Sequence, residues 1–138
     1  MPTSSRRLKN QGAQANRITR AIDVVTLTMA DSGNVTEAFD MTLFASGMVL
    51  MPAAWIAANC GFKVCDTEGG TFTLLLDDIG VPVQISTVST SRAGWYALPD
   101  KLFGAHFVQL WSKSATAATE TDVSQTGGPL SFTVALKG

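Results

Sequence analysis

The chain has 138 residues, of which 46% are hydrophobic and 15% charged, with a formal net charge of −1. This length suits a single domain burying roughly two thirds of its unfolded surface, while the charged fraction lies below the ~25% usual for a globular domain, so part of the surface is expected to be covered by partners. The longest apolar stretch, residues 47–56, contains Pro52 and is too short to span a bilayer, and the N-terminus has no apolar leader core; the composition thus excludes a membrane-spanning helix and predicts a protein made and used without secretion.

The charge is unevenly placed. Residues 1–20 carry Arg6, Arg7, Lys9, Arg17 and Arg20 and no acid. Residues 21–138 carry eleven acids against five bases, a net −6. A polar basic segment cannot bury enough apolar surface to fold alone, so two parts are predicted: an extended basic N-terminal arm over 1–20 and a folded domain over 21–138. The five cations could neutralise nucleic-acid phosphates. The arm has no aromatic residue for base stacking and no helical periodicity, and the attached acidic body would be repelled by DNA. An acidic protein surface is the expected partner.

From residue 21 onward, apolar and polar residues alternate in short runs, the signature of half-buried strands. Val25, Leu27 and Met29 form one face of a first strand and Phe39, Met41 and Leu43 one face of a second, with a turn over 31–34 between them. A third run over 48–51 stops at Pro52, after which one helical turn is expected before Gly61. Phe62 and Val64 then face inward with Lys63 outward. A glycine-rich turn over 66–70 leads to Phe72, Leu74 and Leu76 as the next inward set. A turn over 77–80 precedes Val81, Val83 and Ile85, with Pro82 at an edge or outward position because it has no N–H for the ladder. After a polar loop, Val108 and Leu110 alternate with Gln109. A Ser/Thr-rich excursion over 114–128 follows, and Leu130, Phe132, Val134 and Leu136 close the chain in clean alternation. About eight strands at intervals of roughly ten residues predict an all-β fold, an antiparallel, jelly-roll-like β-sandwich.

Catalytic and metal-binding chemistry is poorly supplied. His106 is the single histidine and precedes a strand with no nucleophile motif near it. Cys60 and Cys65 stand five apart on one predicted strand, ~16 Å end to end, whereas a disulfide needs Cα atoms within about 7 Å. They are expected to be unpaired small hydrophobes. Asp77 with Asp78 is one carboxylate pair, too few for Ca²⁺, and suits a turn. The Gly69-Gly70 and Gly127-Gly128 pairs lack the lysine and helix of a phosphate loop. No enzyme activity, cofactor or metal is expected.

The order of motifs from Met51-Pro-Ala-Ala-Trp55, through Gly61-Phe62, Gly69-Gly70-Thr71-Phe72, 78–80, 105–112 and Val123 with Gln125, to the closing strand over 131–137 resembles that of small virion structural proteins of tailed bacteriophages. The likeness spans roughly residues 44–137 and leaves the basic arm outside it. Lys113 and Ser114 stand where the family pattern would place Ser-Gly-Thr. The resemblance implies a β-sandwich virion component with no catalytic residues: a capsid cement or decoration protein, or a neck or tail component.

Aromatic residues are enriched at protein interfaces and on sugar-binding surfaces, which singles out the three tryptophans. Trp55 is expected in the core, and Trp95 could lie at a loop edge. Trp111 shares the outer face of its strand with Phe107 and Gln109, a face expected to be exposed in the isolated subunit and closed by a neighbour. The expected partner-binding residues are therefore Phe107, Gln109 and Trp111 with the arm cations. The expected partners are the major capsid protein and further copies of the chain, as a homo-oligomer such as a trimer. The expected location is the capsid surface of a virion made in the host cytoplasm. A neck, tail or fibre module that recognises carbohydrate through exposed tryptophans is the alternative.

Overall fold

The computed structural model describes residues 22–86, 93–114 and 121–138. The arm residues Arg6, Arg7, Lys9, Arg17 and Arg20 lie outside the described residues. Two antiparallel sheets pack face to face as an all-β sandwich. The first has the order β1–β9–β3–β7, made of β1 (Ile22–Met29), β9 (Leu130–Lys137), β3 (Ser46–Met51) and β7 (Gly94–Ala97). The second has the order β2–β8–β4–β5, made of β2 (Phe39–Asp40), β8 (Phe107–Lys113), β4 (Asn59–Cys65) and β5 (Thr73–Leu74), with β6 (Gln84–Ile85) also paired to β4.

The period-2 pattern is what closes the sandwich. Leu130, Phe132, Val134 and Leu136 of the central strand β9 are all buried while Ser131 and Lys137 are exposed, as expected when alternate residues face the opposite sheet. Leu27, Met29, Val49 and Met51 complete the inner face of the first sheet, and Phe39, Cys60, Phe62, Val108 and Leu110 meet them from the second. Trp55 lies in this core, its ring edge-on to Phe132 at 5.8 Å and its Nε1 donating to the Ala58 carbonyl at 3.0 Å. Cys60 and Cys65 are free thiols at opposite parts of β4. Burial pushes the Cys60 thiol up to about 12, so it stays protonated and inert.

β5 and β6 are one edge strand interrupted by an excursion. Val64 pairs with Thr73 and Lys63 with Leu74, and the Leu75 N–H donates to the Phe62 carbonyl at 2.9 Å. The next position of β4, Gly61, pairs not with residue 76 but with Gln84. The intervening residues fold into a small hairpin closed by Val83 N–H to the Leu75 carbonyl at 3.0 Å and Asp77 N–H to the Val81 carbonyl at 2.8 Å. Its tip turns through Gly80 at φ +82, a left-handed conformation that glycine adopts without steric cost. Asp77 Oδ1 accepts the N–H groups of Val81 and Ile79 at 2.9 and 3.0 Å, bonds that hold its carboxyl below the usual carboxylate range.

Counted with β5 and β6 as one strand, the sandwich has eight strands. The ladders then join first to eighth, second to seventh, third to sixth and fourth to fifth. This is a long antiparallel ribbon rolled up on itself, the jelly-roll arrangement.

Several local expectations are corrected. Leu43 is exposed rather than on the inner face with Phe39 and Met41. β2 ends at Asp40, whose Oδ1 accepts the Thr42 N–H at 2.8 Å and the Thr42 hydroxyl at 2.6 Å, turning the chain before Leu43. The segment after Pro52 is a single turn, with Trp55 N–H to the Pro52 carbonyl at 3.2 Å, not a helical segment. A 3-10 turn lies instead at Asp100–Gly104, where it buries Leu102. Leu76 and Val81 are exposed because they belong to the protruding hairpin, and Leu75 takes the place against the core that was expected of Phe72 and Leu74, which lie on the outer face with Phe107 and Lys63.

Candidate functional site

Strand β8 sends Val108 and Leu110 into the core, so Phe107, Gln109, Trp111 and Lys113 fall on the outer face of the second sheet. Opposite them on β4 stand Cys65, Lys63, Gly61 and Asn59. The face is open at one end and covered at the other. At the covered end Val35 bridges to Trp111 along the strand edge, and the Ser112 N–H donates to the Asn34 carbonyl at 2.7 Å. Asp122 accepts the Trp111 indole N–H at 2.7 Å, and Lys63 Nζ lies 4.7 Å from the ring centroid. Trp111 is consequently only 3% exposed. The expectation of an exposed Trp111 in the isolated subunit is corrected: the chain's own residues cover the indole and satisfy its donor.

Gly61 makes this covering possible. A Cβ there would lie 2.5 Å from Lys113 Cδ and 3.0 Å from Trp111 Cε3, so the missing side chain is the space through which the lysine stem and indole cross β4. Lys113 is itself buried and donates to Gln84 Oε1 at 2.5 Å and the Ser114 carbonyl at 3.1 Å. Gly61→Ala is expected to destabilise the fold by about 1–3 kcal/mol through overpacking, first against the Lys113 stem and then against the ring, read as a lower midpoint in urea. An unchanged midpoint would show that the lysine stem and the indole are free to move aside.

Gln125 ties the covering segment down. It is fully buried, and its amide nitrogen donates to the Ile56 carbonyl and the Ser112 hydroxyl, both at 2.9 Å, while its Oε1 accepts the Ile56 N–H at 2.6 Å. Its backbone exchanges bonds with Gly33 and Ser32 at 2.9 and 2.8 Å. One residue thus links three loops to β8.

The open end of the same face begins at Phe107. Its ring stacks on His106, with centroids 4.2 Å apart and planes 21° apart. The His106 Nδ1 is within 2.8 Å of the Asp66 carbonyl. Phe107 also lines a 280 Å³ cavity with Phe72, Ala38, Gly69, Asp40 and Glu68. A second, open cavity of 520 Å³ lies on the other side of the 66–70 turn and takes in Asp66, His106 and three threonines. Gln109 lies between the two ends, half-buried.

The first sheet presents a different surface. Its outer positions line up across the strands by register: Val24, Ala135, Met48 and Ala97 form one row, and Thr26, Thr133, Leu50 and Trp95 the next. Ile22, Lys137 and Ser46 make the row beyond. Ile22, Val24, Met48 and Trp95 are 69, 62, 45 and 50% exposed, and Lys137 is the single charged side chain on these rows. Trp95, for which a loop edge was one possible place, lies on β7. The signal that could have located this face was the run of apolar residues at even positions, Ile22, Val24, Met48 and Leu50, in strands whose odd positions already fill the core.

No group of three or more histidine, cysteine, aspartate or glutamate side chains that could hold a metal ion exists among the described residues, and none of their helices is long and apolar enough to cross a membrane. No protein-family model, curated protein or solved structure matches the chain.

Proposed function

We propose that this chain is a non-enzymatic structural protein of a tailed-bacteriophage virion, a cement or decoration protein that sits on the head shell and contacts the major capsid protein and further copies of itself. The observation that carries the proposal is the outer face of the β1–β9–β3–β7 sheet. Singly exposed hydrophobic side chains need no explanation. Four large ones on one face with a single charge is the pattern of a contact surface. With strands ~4.8 Å apart, the patch is about 400 Å², half of the ~800 Å² per partner that stable interfaces use. The basic arm immediately precedes β1 in the sequence, and Ile22 and Val24 of β1 belong to this face. The order of motifs from Met51 to Lys137 points in the same direction.

A full-length chain carrying Met48→Ser and Trp95→Ser tests this assignment. Both side chains are about half exposed, so thermal melting is expected to match that of the parent. In co-expression with the major capsid protein of the same phage, the variant is expected to be depleted at least tenfold from purified particles, because interface aromatics commonly contribute about 2 kcal/mol or more. Undiminished incorporation would rule this face out as the shell contact. Hundreds of copies per particle place the protein on the shell, and a handful would place it in the neck or tail. Normal incorporation with loss of glycan binding would instead assign it to fibre-borne adhesion.

A further inference from the structure

We propose that the cavity between Phe72 and Phe107 is a receptor for an arginine of the N-terminal arm of a second copy, so that arm-to-body pairing joins neighbouring subunits. The inference rests on the decoration assignment above for its setting, and on separate observations for its content.

The cavity has the chemistry of a guanidinium site. Two aromatic rings and the small residues Ala38 and Gly69 form its walls, and the carboxylates of Asp40 and Glu68 stand at it. A planar cation that stacks on an aromatic face and accepts carboxylate partners side-on is what such a lining suits. Asp40 is held below the usual carboxylate range, first by the hydroxyl and then by the N–H of Thr42, so it is charged at neutral pH. Both of those bonds go to Oδ1. Glu68 forms no hydrogen bond or ion pair with another described residue.

Charge complementarity names the occupant. The described residues hold ten acids and four lysines, and every arginine of the chain lies outside them. Of those lysines, Lys101 pairs with Asp78 at 3.8 Å, Lys63 covers Trp111 and Lys113 is buried. Among the described residues no cation lines this cavity, while the arm carries five cations and no acid.

The arm is long enough to reach a neighbouring copy. Arg7 stands fifteen residues before Ile22, a contour of up to ~50 Å, whereas a body of this size is about 35 Å across. Ile22 pairs with Lys137, whose carbonyl accepts the Ala45 N–H at 2.8 Å, and the Met41 N–H donates to the His106 carbonyl at 2.8 Å. The arm root and the cavity thus lie at the same end of the sandwich, linked by residues 40–45. Two copies that meet at this end would each place the root of one arm, Ile22, near the other's cavity.

The test uses the full-length chain. Equal amounts of ¹⁴N- and ¹⁵N-labelled protein are mixed, treated with a zero-length carbodiimide that joins lysine amines to carboxylates, and mapped by mass spectrometry. Lys9, two residues from Arg7, is expected to link to Glu68 or Asp40, with mixed-isotope pairs as abundant as same-isotope pairs. Arg6→Glu with Arg7→Glu is expected to reduce these links at least tenfold, and Phe72→Ala to weaken them without changing their position. Links carrying one isotope only would place the arm on its own body and overturn the proposal. Links spread evenly over Asp31, Asp100 and Asp122, or none at all, would overturn it as well. Particle binding without the Lys9 links would leave the decoration assignment standing and remove this pairing. The converse result would do the reverse.

Discussion

Trp111→Ala is expected to lower the unfolding free energy of the isolated chain by about 3 kcal/mol, the lower end of the range for removing a buried tryptophan. The indole is 3% exposed and fills the space left by Gly61, so alanine would leave a void that β4 cannot close without moving its backbone. Two further interactions disappear with the ring. The Asp122 carboxylate loses the indole N–H at 2.7 Å, and Lys63 loses the aromatic face beneath its ammonium at 4.7 Å. For a domain of this size the change amounts to roughly 10 °C in melting temperature. Trp111→Phe keeps most of the volume and loses the hydrogen bond, and is expected to cost about 1 kcal/mol. Thermal melting of both variants against the parent checks the pair. A Trp111→Ala protein that melts normally but fails to associate would show that the indole is covered by a neighbouring subunit rather than by the chain itself.

Gln125→Leu is expected to cost about 2–4 kcal/mol although it replaces a polar core residue with an apolar one of similar size. Burying an amide is favourable only while its partners are present, and here the penalty falls on those left behind. The Ile56 N–H and carbonyl and the Ser112 hydroxyl would all face leucine methyl groups. Because the same residue holds the 121–125 segment beside β8, the variant is also expected to raise amide hydrogen exchange at Ser32, Gly33 and Val123, whose N–H groups or carbonyls bond within this region. Exchange increased uniformly over the whole sandwich would indicate global destabilisation without a local role for the glutamine.

Much of this architecture was legible from alternation. The core residues of β1, β4, β8 and β9 were read correctly because each strand has one face against the opposite sheet, and burial then imposes a period of two on the sequence. At β5 Leu75 rather than Phe72 and Leu74 faces the core, and two further places failed because the strand ends. Leu43 and the pair Leu76 and Val81 continue the alternation on paper, but the backbone has already left the sheet at the Asp40–Thr42 turn and at the 76–83 hairpin. A periodic pattern records which side a residue would face if the strand continued. It does not record where the strand stops.

The candidate surfaces divide in the same way. Charge order by itself determined the basic N-terminal segment and the acidic remainder, and alternation the all-β sandwich and the shared outer face of Phe107, Gln109 and Trp111. Only the tertiary structure decided which part of that face is free, because Val35, Asp122 and Lys63 approach Trp111 from segments distant in the chain while Phe107 remains beside a cavity. The same holds for the apolar rows of the first sheet. Val24, Met48, Trp95 and Ala135 come from four separate strands, and each reads alone as an ordinary exposed residue. They become one surface because the rolled ribbon pairs first strand with last and third with sixth. That pairing is fixed by how two sheets bury their inner faces together, a property of the whole chain that no local run of residues carries.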